Sequence, residues 1–229
     1  MCGRFAIAAS KQEMLGYLQE YFNIYDPETE YQLPRYNIAP NEQIPAVIFD
    51  GTQYRFRLFK WGFIPGFAKT DRGSFQMINA KAETITEKNA FKTAFQKNRC
   101  LIPISGFFEW QQTEKKKIPY YITLKSIPLF ALAGIWSQYR NEFGVTVDTC
   151  ALITAAATKQ LLPIHHRMPV IIAPENNRSW LDCNTDIENL QPILQPFSDK
   201  PLLISPVSTT VNKPANDNPE CIMPIKNTT

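Results

Sequence analysis

Strand follows strand along most of this chain, and that pattern constrains its fold more than any other feature. From about residue 44 to 61 the sequence reads Ile44-Pro-Ala-Val-Ile-Phe49, a turn at Asp50-Gly51, then Tyr54, Phe56 and Leu58 alternating with Arg55, Arg57 and Phe59. This predicts a β-hairpin. Cys100–Ile104 and Gly106–Trp110 read as a buried strand with a Ser-Gly break inside it. Tyr120–Leu124, Leu129–Trp136, Val147–Ala155, Val170–Ala173 and Leu202–Ser205 read as further strands, and residues 4–9 as a short strand entering the core. Helical signals are fewer. Ser10 and Glu13 form a capping box that opens a helix over roughly residues 11–23, with Met14, Leu15, Leu18, Tyr21 and Phe22 as its apolar stripe. A second helix is predicted from about 87 to 97, burying Ala90, Phe91, Ala94 and Phe95, and a short one from Pro174 to about Leu181. Thr158–Leu162 reads as a helical turn. Residues 26–40, the aromatic stretch Trp61–Phe67 and the proline-bounded Pro163–Pro169 read as ordered loops, and 212–229 as a polar tail. The tally is seven to nine strands and three or four helices without βαβ alternation. The expected fold class is therefore α+β, a mostly antiparallel sheet closing into a β-barrel-like core with a few flanking helices.

The 229 residues are 44% hydrophobic and 12% aromatic, which suits one domain spanning residues 1–229. No apolar run approaches about 18 residues, so no membrane-spanning helix is expected. The N-terminus lacks the basic-then-apolar layout of a signal peptide, and a cytoplasmic location follows. Five cysteines, Cys2, Cys100, Cys150, Cys183 and Cys221, are odd in number and widely spaced. Neither a zinc site nor a disulfide framework is indicated, and no cofactor is expected. A net charge of +3 permits a polyanionic partner without demanding one. Lys115-Lys116-Lys117 reads as a solvated hairpin turn.

The residues that attract chemical attention begin at position 2. Aminopeptidase removes Met1 when a small side chain follows, leaving Cys2 with an α-amine and a thiol on adjacent carbons. Such an aminothiol can condense with an aldehyde to an imine and then close to a thiazolidine; both groups are partly deprotonated near neutral pH. Glu109 lies among Phe107, Phe108 and Trp110, where desolvation raises a carboxyl pKa toward the range of general acid/base work; an edge position facing water is the alternative. His165 and His166, the only histidines, sit in a proline-bounded loop, suited to proton transfer or phosphate contact and without a third ligand for a metal nearby. Asn37 and Asn79 are loop amides able to donate to a reacting oxygen, or simply turn residues. Arg4, Lys81 and Arg167 would ring a phosphate-binding site if their segments converge. Trp61, Phe63 and Phe67 are candidates for stacking on unpaired bases or for core packing.

Taken together, Met1-Cys2-Gly3-Arg4-Phe5, Tyr36-Asn37-Ile38-Ala39-Pro40, Trp61-Gly62-Phe63-Ile64-Pro65, Asn79-Ala80-Lys81-Ala82-Glu83-Thr84, Gly106-Phe107-Phe108-Glu109-Trp110, Ile164-His165-His166-Arg167-Met168-Pro169 and Pro206-Val207-Ser208 with Val211-Asn212 resemble the SRAP family, the SOS-response-associated peptidase domain. The resemblance implies a barrel-like α+β domain with a basic cleft for single-stranded DNA. It implies covalent capture of abasic sites by Cys2 as a thiazolidine, with associated lyase-type Schiff-base chemistry. Asn79 would orient the linkage, Glu109 would be the general acid/base and His165 would assist. Arg4, Asn37, Lys81, Thr154 and Arg167 would line the DNA channel, with Trp61 and Phe67 as stacking residues. The partner expected is single-stranded DNA containing abasic sites, met by a monomer with no membrane association, and replication-fork proteins are possible companions. Three positions depart from the family pattern: Lys81 stands where Arg is usual, His166 where Asp is usual, and Phe67 where Trp is frequent. The competing readings are a thiol (auto)peptidase using Cys2 and a non-catalytic single-strand DNA-binding module. The second leaves Cys2 and Glu109 idle.

Overall fold

A computed structural model describes residues 2–68, 77–196 and 201–225. Its elements run β1 (Phe5–Ile7), α1 (Lys11–Phe22), β2 (Arg35–Ile38), β3 (Gln43–Phe49), β4 (Tyr54–Trp61), β5 (Asn79–Lys81), α2 (Asn89–Lys97), β6 (Arg99–Ile104), β7 (Gly106–Gln112), β8 (Lys117–Leu124), β9 (Phe130–Arg140), β10 (Thr146–Ala156), β11 (Arg167–Pro169), β12 (Ile171–Ile172), α3 (Asn177–Leu181), α4 (Ile187–Leu190) and β13 (Leu202–Pro206). Strands β10, β4, β3, β6 and β9 pair in that order, and β9 pairs back onto β10 to close a five-stranded barrel. Closure leaves no free edge on those strands. The predicted hairpin is β3–β4, in register from Gln43↔Lys60 to Phe49↔Tyr54. The second sheet, in order β13-β8-β7-β1-β2, is antiparallel throughout. The α+β reading with a barrel-like core is therefore what the structure contains. Two parallel pairings, β10 with β4 and β10 with β5, are the exceptions to the antiparallel rule.

The Ser-Gly break divides two sheets. β6 ends in the barrel at Ile104 and β7 begins in the second sheet at Gly106, so the chain changes layer at Ser105. Gly106 is required there: a Cβ would sit 2.5 Å from the Tyr121 ring and 2.7 Å from the Ile122 carbonyl oxygen. Ser105 also fastens the N-terminal strand. Its backbone N–H donates to the Ala6 carbonyl at 2.8 Å, and its hydroxyl accepts from Ala8 N–H at 2.9 Å.

Helix α1 starts where its capping box places it. The Ser10 hydroxyl accepts from Glu13 N–H at 3.2 Å and the Glu13 carboxylate accepts from Ser10 N–H at 2.7 Å. Met14, Leu18 and Phe22 bury fully against the barrel, each stabilising by about 1.5–3 kcal/mol. Tyr21, expected in the stripe, is more than a third exposed, and Tyr17 packs against the core instead.

Three expected loops are ordered differently. Arg35–Ile38 is an edge strand on β1 rather than part of an irregular loop. Arg167–Pro169 pairs with β10 inside the proline-bounded segment. The polar tail expected from residue 212 folds back through a short 3-10 turn at Pro219–Cys221, and Cys221 is buried with Val211, from the 3-10 turn just before the tail, against Ala6, Phe108 and Tyr121; residues 226–229 lie outside the described residues. Strands of three or four residues such as β2, β5 and β11 are too short for alternation to reveal, which is why the described strands outnumber the expectation. The five cysteines are free. No helix among the described residues is long and apolar enough to cross a membrane.

Candidate active site

The N-terminal strand brings Cys2 to the site. β1 pairs with β7 as Phe5↔Phe107 and Ala6↔Gly106, and Phe108 N–H donates to the Arg4 carbonyl at 2.9 Å. Carried toward the N-terminus, that antiparallel register lays Cys2 alongside Glu109 and Trp110. Cys2 is fully buried, and its thiol lies 3.7 Å from the Arg4 carbonyl oxygen as a weak donor. Burial, and then the nearby Glu109 charge, push the Cys2 thiol pKa up. Met1 lies outside the described residues.

Asn79 reaches the same point from the barrel rim. β5 pairs in parallel with β10, Asn79 opposite Leu152. From there the Asn79 side-chain N–H donates to the Cys2 carbonyl at 2.8 Å. Its own Oδ1 is buried and has no hydrogen-bond partner, a strong acceptor waiting for a donor.

Glu109 sits on β7 opposite Tyr120 and is only 3% exposed. Burial raises its carboxyl from 4.5 to about 7, so it exchanges protons near neutrality. The desolvated alternative, and not the water-facing one, is the one adopted. Glu109, Trp110, Gln112, Lys117, His165 and Asn212 line one open cleft of about 530 Å³. His165 enters from the segment after β10. Its Nδ1 lies 3.0 Å from the Arg167 N–H and 3.1 Å from the Arg167 carbonyl oxygen, so the Arg167 backbone orients the ring in either tautomer. Partial burial lowers the His165 pKa, which favours neutral imidazole. His166 stacks on His165 with ring centroids 4.5 Å apart. Gln111 ties the two walls together, donating to the Pro163 carbonyl at 3.0 Å.

Several residues expected to touch a polyanion instead brace these walls. Arg4 is buried; its guanidinium donates to Asn37 Oδ1 at 2.7 Å and to the Val211 carbonyl at 2.8 Å, and lies 5.9 Å from the Trp110 ring. Asn37 is fully buried, its amide donating to the carbonyls of Val211, Lys213 and Asn216. Arg167 is buried in a bidentate pair with Glu83, at 2.5 and 3.0 Å, and also donates to the Thr154 carbonyl at 2.5 Å. Thr154 is fully buried beneath it. Trp61 corrects the stacking expectation: it is fully buried against Phe5, and its indole N–H donates to the Ile78 carbonyl at 2.9 Å, anchoring the residue before Asn79. Phe63 is core as well. Only Lys81 and Phe67, the latter 71% exposed, present open surfaces.

Sequence reasoning gave no role to Asn212 or Glu83, and read Lys117 as a solvated turn. Lys117 pairs with Gln112 across β7 and β8 and so faces the cleft beside Glu109. Asn212 accepts from the Trp110 indole at 2.8 Å. Its place in the ordered run Val211-Asn212 was the one available signal.

Residues 1–214 match the family model described as SOS response associated peptidase (SRAP). The chain is 41% identical over 226 residues to the abasic site processing protein YoqW of Bacillus subtilis, covering 97% of this chain and 99% of that one. It is 32% identical over 185 residues to the abasic site processing protein YedK of Escherichia coli, covering 79% of each. A third relative is the abasic site processing protein HMCES of Gallus gallus, 29% identical over 266 residues, which covers 99% of this chain and 78% of the relative. A crystal structure of a Bacteroides thetaiotaomicron protein shares the fold, with a TM-score of 0.86 at 24% identity over 98% of this chain and all of the other.

Proposed function

This chain belongs to the SRAP family, and from that membership we propose that it processes abasic sites in single-stranded DNA by capturing them covalently on Cys2. Removal of Met1 frees the Cys2 α-amine. An abasic deoxyribose is mainly a closed hemiacetal, and Glu109, titrating near 7, donates the proton that opens it to the aldehyde. The amine adds to the carbonyl carbon and water leaves, forming an imine. Left there, β-elimination would cut the strand. The thiol adds across C=N instead: the S–C bond forms, the sulfur proton passes to nitrogen, and the five-membered thiazolidine lacks the electron sink that elimination needs. Asn79 holds the Cys2 carbonyl, and its unpartnered Oδ1 accepts from the reacting amine or sugar hydroxyl. His165 assists the proton transfers as a neutral base. Lys81, Lys117 and Phe67 supply exposed charge and stacking surface for the DNA, while Arg4, Asn37, Trp61, Thr154 and Arg167 hold the walls.

The single observation that carries this reading is the convergence of Cys2, the Asn79 amide and a carboxyl titrating near neutrality. The same observation weighs against a thiol peptidase. A protease nucleophile needs a depressed thiol pKa, and here burial and Glu109 raise it. A DNA-binding module without chemistry has no use for a buried aminothiol. A cytoplasmic, DNA-associated location follows from the substrate.

The test is an abasic single-stranded oligonucleotide incubated with the protein and resolved on a denaturing gel. Wild type is expected to give a heat- and SDS-stable adduct and Cys2→Ala none. Cys2→Ser is expected to leave a borohydride-trappable imine with strand cleavage. Equal adduct from wild type and Cys2→Ala overturns the thiazolidine mechanism.

A further inference from the structure

The chain carries two histidines, and only His165 has a part in the chemistry above. His166 is exposed, yet its ring lies against that of His165, with centroids 4.5 Å apart and planes inclined by 21°. The backbone fixes both members of this stack. His165 N–H donates to the Leu161 carbonyl at 3.1 Å, the His166 carbonyl accepts from Ala157 N–H at 3.0 Å, and Arg167 begins β11 in register with Ala156. The His165 ring is thus held in its plane by the Arg167 backbone at Nδ1, and on one face by His166. With Nδ1 so engaged, proton exchange falls to Nε2.

Two imidazolium rings stacked at this distance repel, so the pair takes up its protons in two separate steps. The first proton goes where hydration is retained. An imidazolium at exposed His166 keeps its water, whereas the partly buried His165 is desolvated when it charges. Burial, and then the chain's N-terminal ammonium, lower the His165 pKa, and the His166 and Arg167 charges act in the same direction. The other ionisable groups around the pair do not reverse this order. Lys117 reaches the cleft from β8 as a cation, Glu109 on β7 is protonated below about 7, and the Arg167 guanidinium is matched by Glu83.

We propose that His166 is a positioning residue for the crosslinking reaction: its ring braces one face of His165 and takes the first proton of the stacked pair, so that His165 stays an uncharged base in the cleft on the acid side of neutrality. The inference rests on the abasic-site chemistry proposed above. His166 touches neither DNA nor the reacting atoms and acts through His165. Bracing and charge are separable. A flat apolar ring at position 166 keeps the first and loses the second, and a small side chain loses both.

The test uses the full-length protein and two readouts. With only two histidines in the chain, proton NMR of the imidazole C–H groups gives two resonances, and His166→Phe assigns them by removing one. In wild type His166 is expected to protonate first as pH falls and His165 second. The His165 midpoint is expected to rise in His166→Phe, and to rise further in His166→Asp, where a carboxylate replaces the ring. The second readout is the rate of adduct formation on abasic single-stranded oligonucleotide from pH 5 to 8.5. On the acid limb of that profile His166→Phe is expected to be about threefold slower than wild type, the scale of a screened surface charge pair, and His166→Asp slower still. His166→Ala, without the brace, is expected to lose rate at every pH. Because position 166 is exposed, all three variants are expected to unfold at the wild-type temperature, which reports intact folding. The proposal is overturned if His165 takes the first proton, if its midpoint ignores the residue at 166, or if the midpoint moves while the acid limb stays. Equal rates for His166→Ala and His166→Phe across the profile overturn it as well. In each of these cases wild type still crosslinks. A wild type that forms no adduct at any pH instead refutes the abasic-site reading itself, and the role of His166 falls with it.

Discussion

Glu109→Gln isolates the cost of keeping a carboxyl in the active site. The substitution preserves shape and hydrogen-bonding reach while removing the charge. In the folded chain burial raises this carboxyl from 4.5 to about 7. The 2.5 pH units between those values, at about 1.36 kcal/mol each, correspond to roughly 3 kcal/mol. The sign follows from proton counting. Below pH 4.5 the carboxyl is protonated in both states, so wild type and Gln variant differ little. Between 4.5 and 7 the unfolded chain gives up its proton while the folded chain keeps it, so wild type loses stability relative to the variant as pH rises. Above 7 both states are ionised and the gap is constant. For a chain of this length about 3 kcal/mol corresponds to roughly 6–12 °C in Tm. The assay is thermal unfolding of both proteins from pH 4 to 8.5, read as the difference in Tm, which cancels the other carboxylates. The variant is expected to gain progressively on wild type across pH 4.5–7, and its adduct formation on abasic DNA is expected to be slow and without the inflection near pH 7. A difference that does not change with pH, or a wild type that gains on the variant as pH rises, refutes a desolvated carboxyl as the proton carrier.

Two further perturbations address the braces. Asn37→Ala removes the donor to three carbonyls and the acceptor for Arg4; a loss of about 2–4 kcal/mol in denaturant unfolding, with faster proteolysis within residues 208–221, is expected, and unchanged proteolysis there contradicts the clasp. Arg167→Lys replaces a fork that grips Glu83 and Thr154 together with a point charge. Because Glu83 is half exposed, solvent screening limits the expected cost to about 1–2 kcal/mol, checked by thermal unfolding, and adduct formation is expected to slow as the His165 loop loosens.

What the sequence made legible follows from range. Capping at Ser10 and the β3–β4 hairpin are local, carried by neighbours a few residues apart, and both appear where the pattern puts them. The fold class was legible because a chain without βαβ alternation has few ways to cover a sheet other than closing it. Within the site, Cys2, Asn79, Glu109 and His165 were legible as residue types with chemistry. The roles of Asn37, Trp61 and Arg167 were not. Their partners stand far off in sequence: Asn37 meets residues 174, 176 and 179 positions away, and Arg167 meets Glu83 at 84. An exposed arginine on DNA and a buried one on backbone carbonyls look alike in a sequence. Burial separates them, and burial depends on contacts no local pattern encodes. The tail was misread for the same reason. Its polar composition suggests solvent, but the Asp217 carboxylate accepts the N–H groups of Tyr36 and Asn37 at 2.5 and 3.0 Å, which fastens it to an edge strand.

These braces bear on the proposal that a residue next to the N-terminus serves as a fixed reagent. Chain termini fray because few contacts offset the entropy of ordering them. Here order enters from two sides. On one, β1 is hydrogen-bonded to both β2 and β7, and Arg4 is locked to Asn37 and Val211, so the tail at 208–221 restrains the residue two places from Cys2. On the other, Trp61 holds the Ile78 carbonyl and Asn79 holds Cys2 itself. The first set belongs to the second sheet and the other to the barrel, so the thiol lies at the seam between the two layers. A rigid seam suits the proposed chemistry. Ring closure requires the thiol to reach the imine carbon faster than a base removes the proton that starts elimination, and pre-positioning is what raises the effective concentration of one intramolecular nucleophile over a competing path.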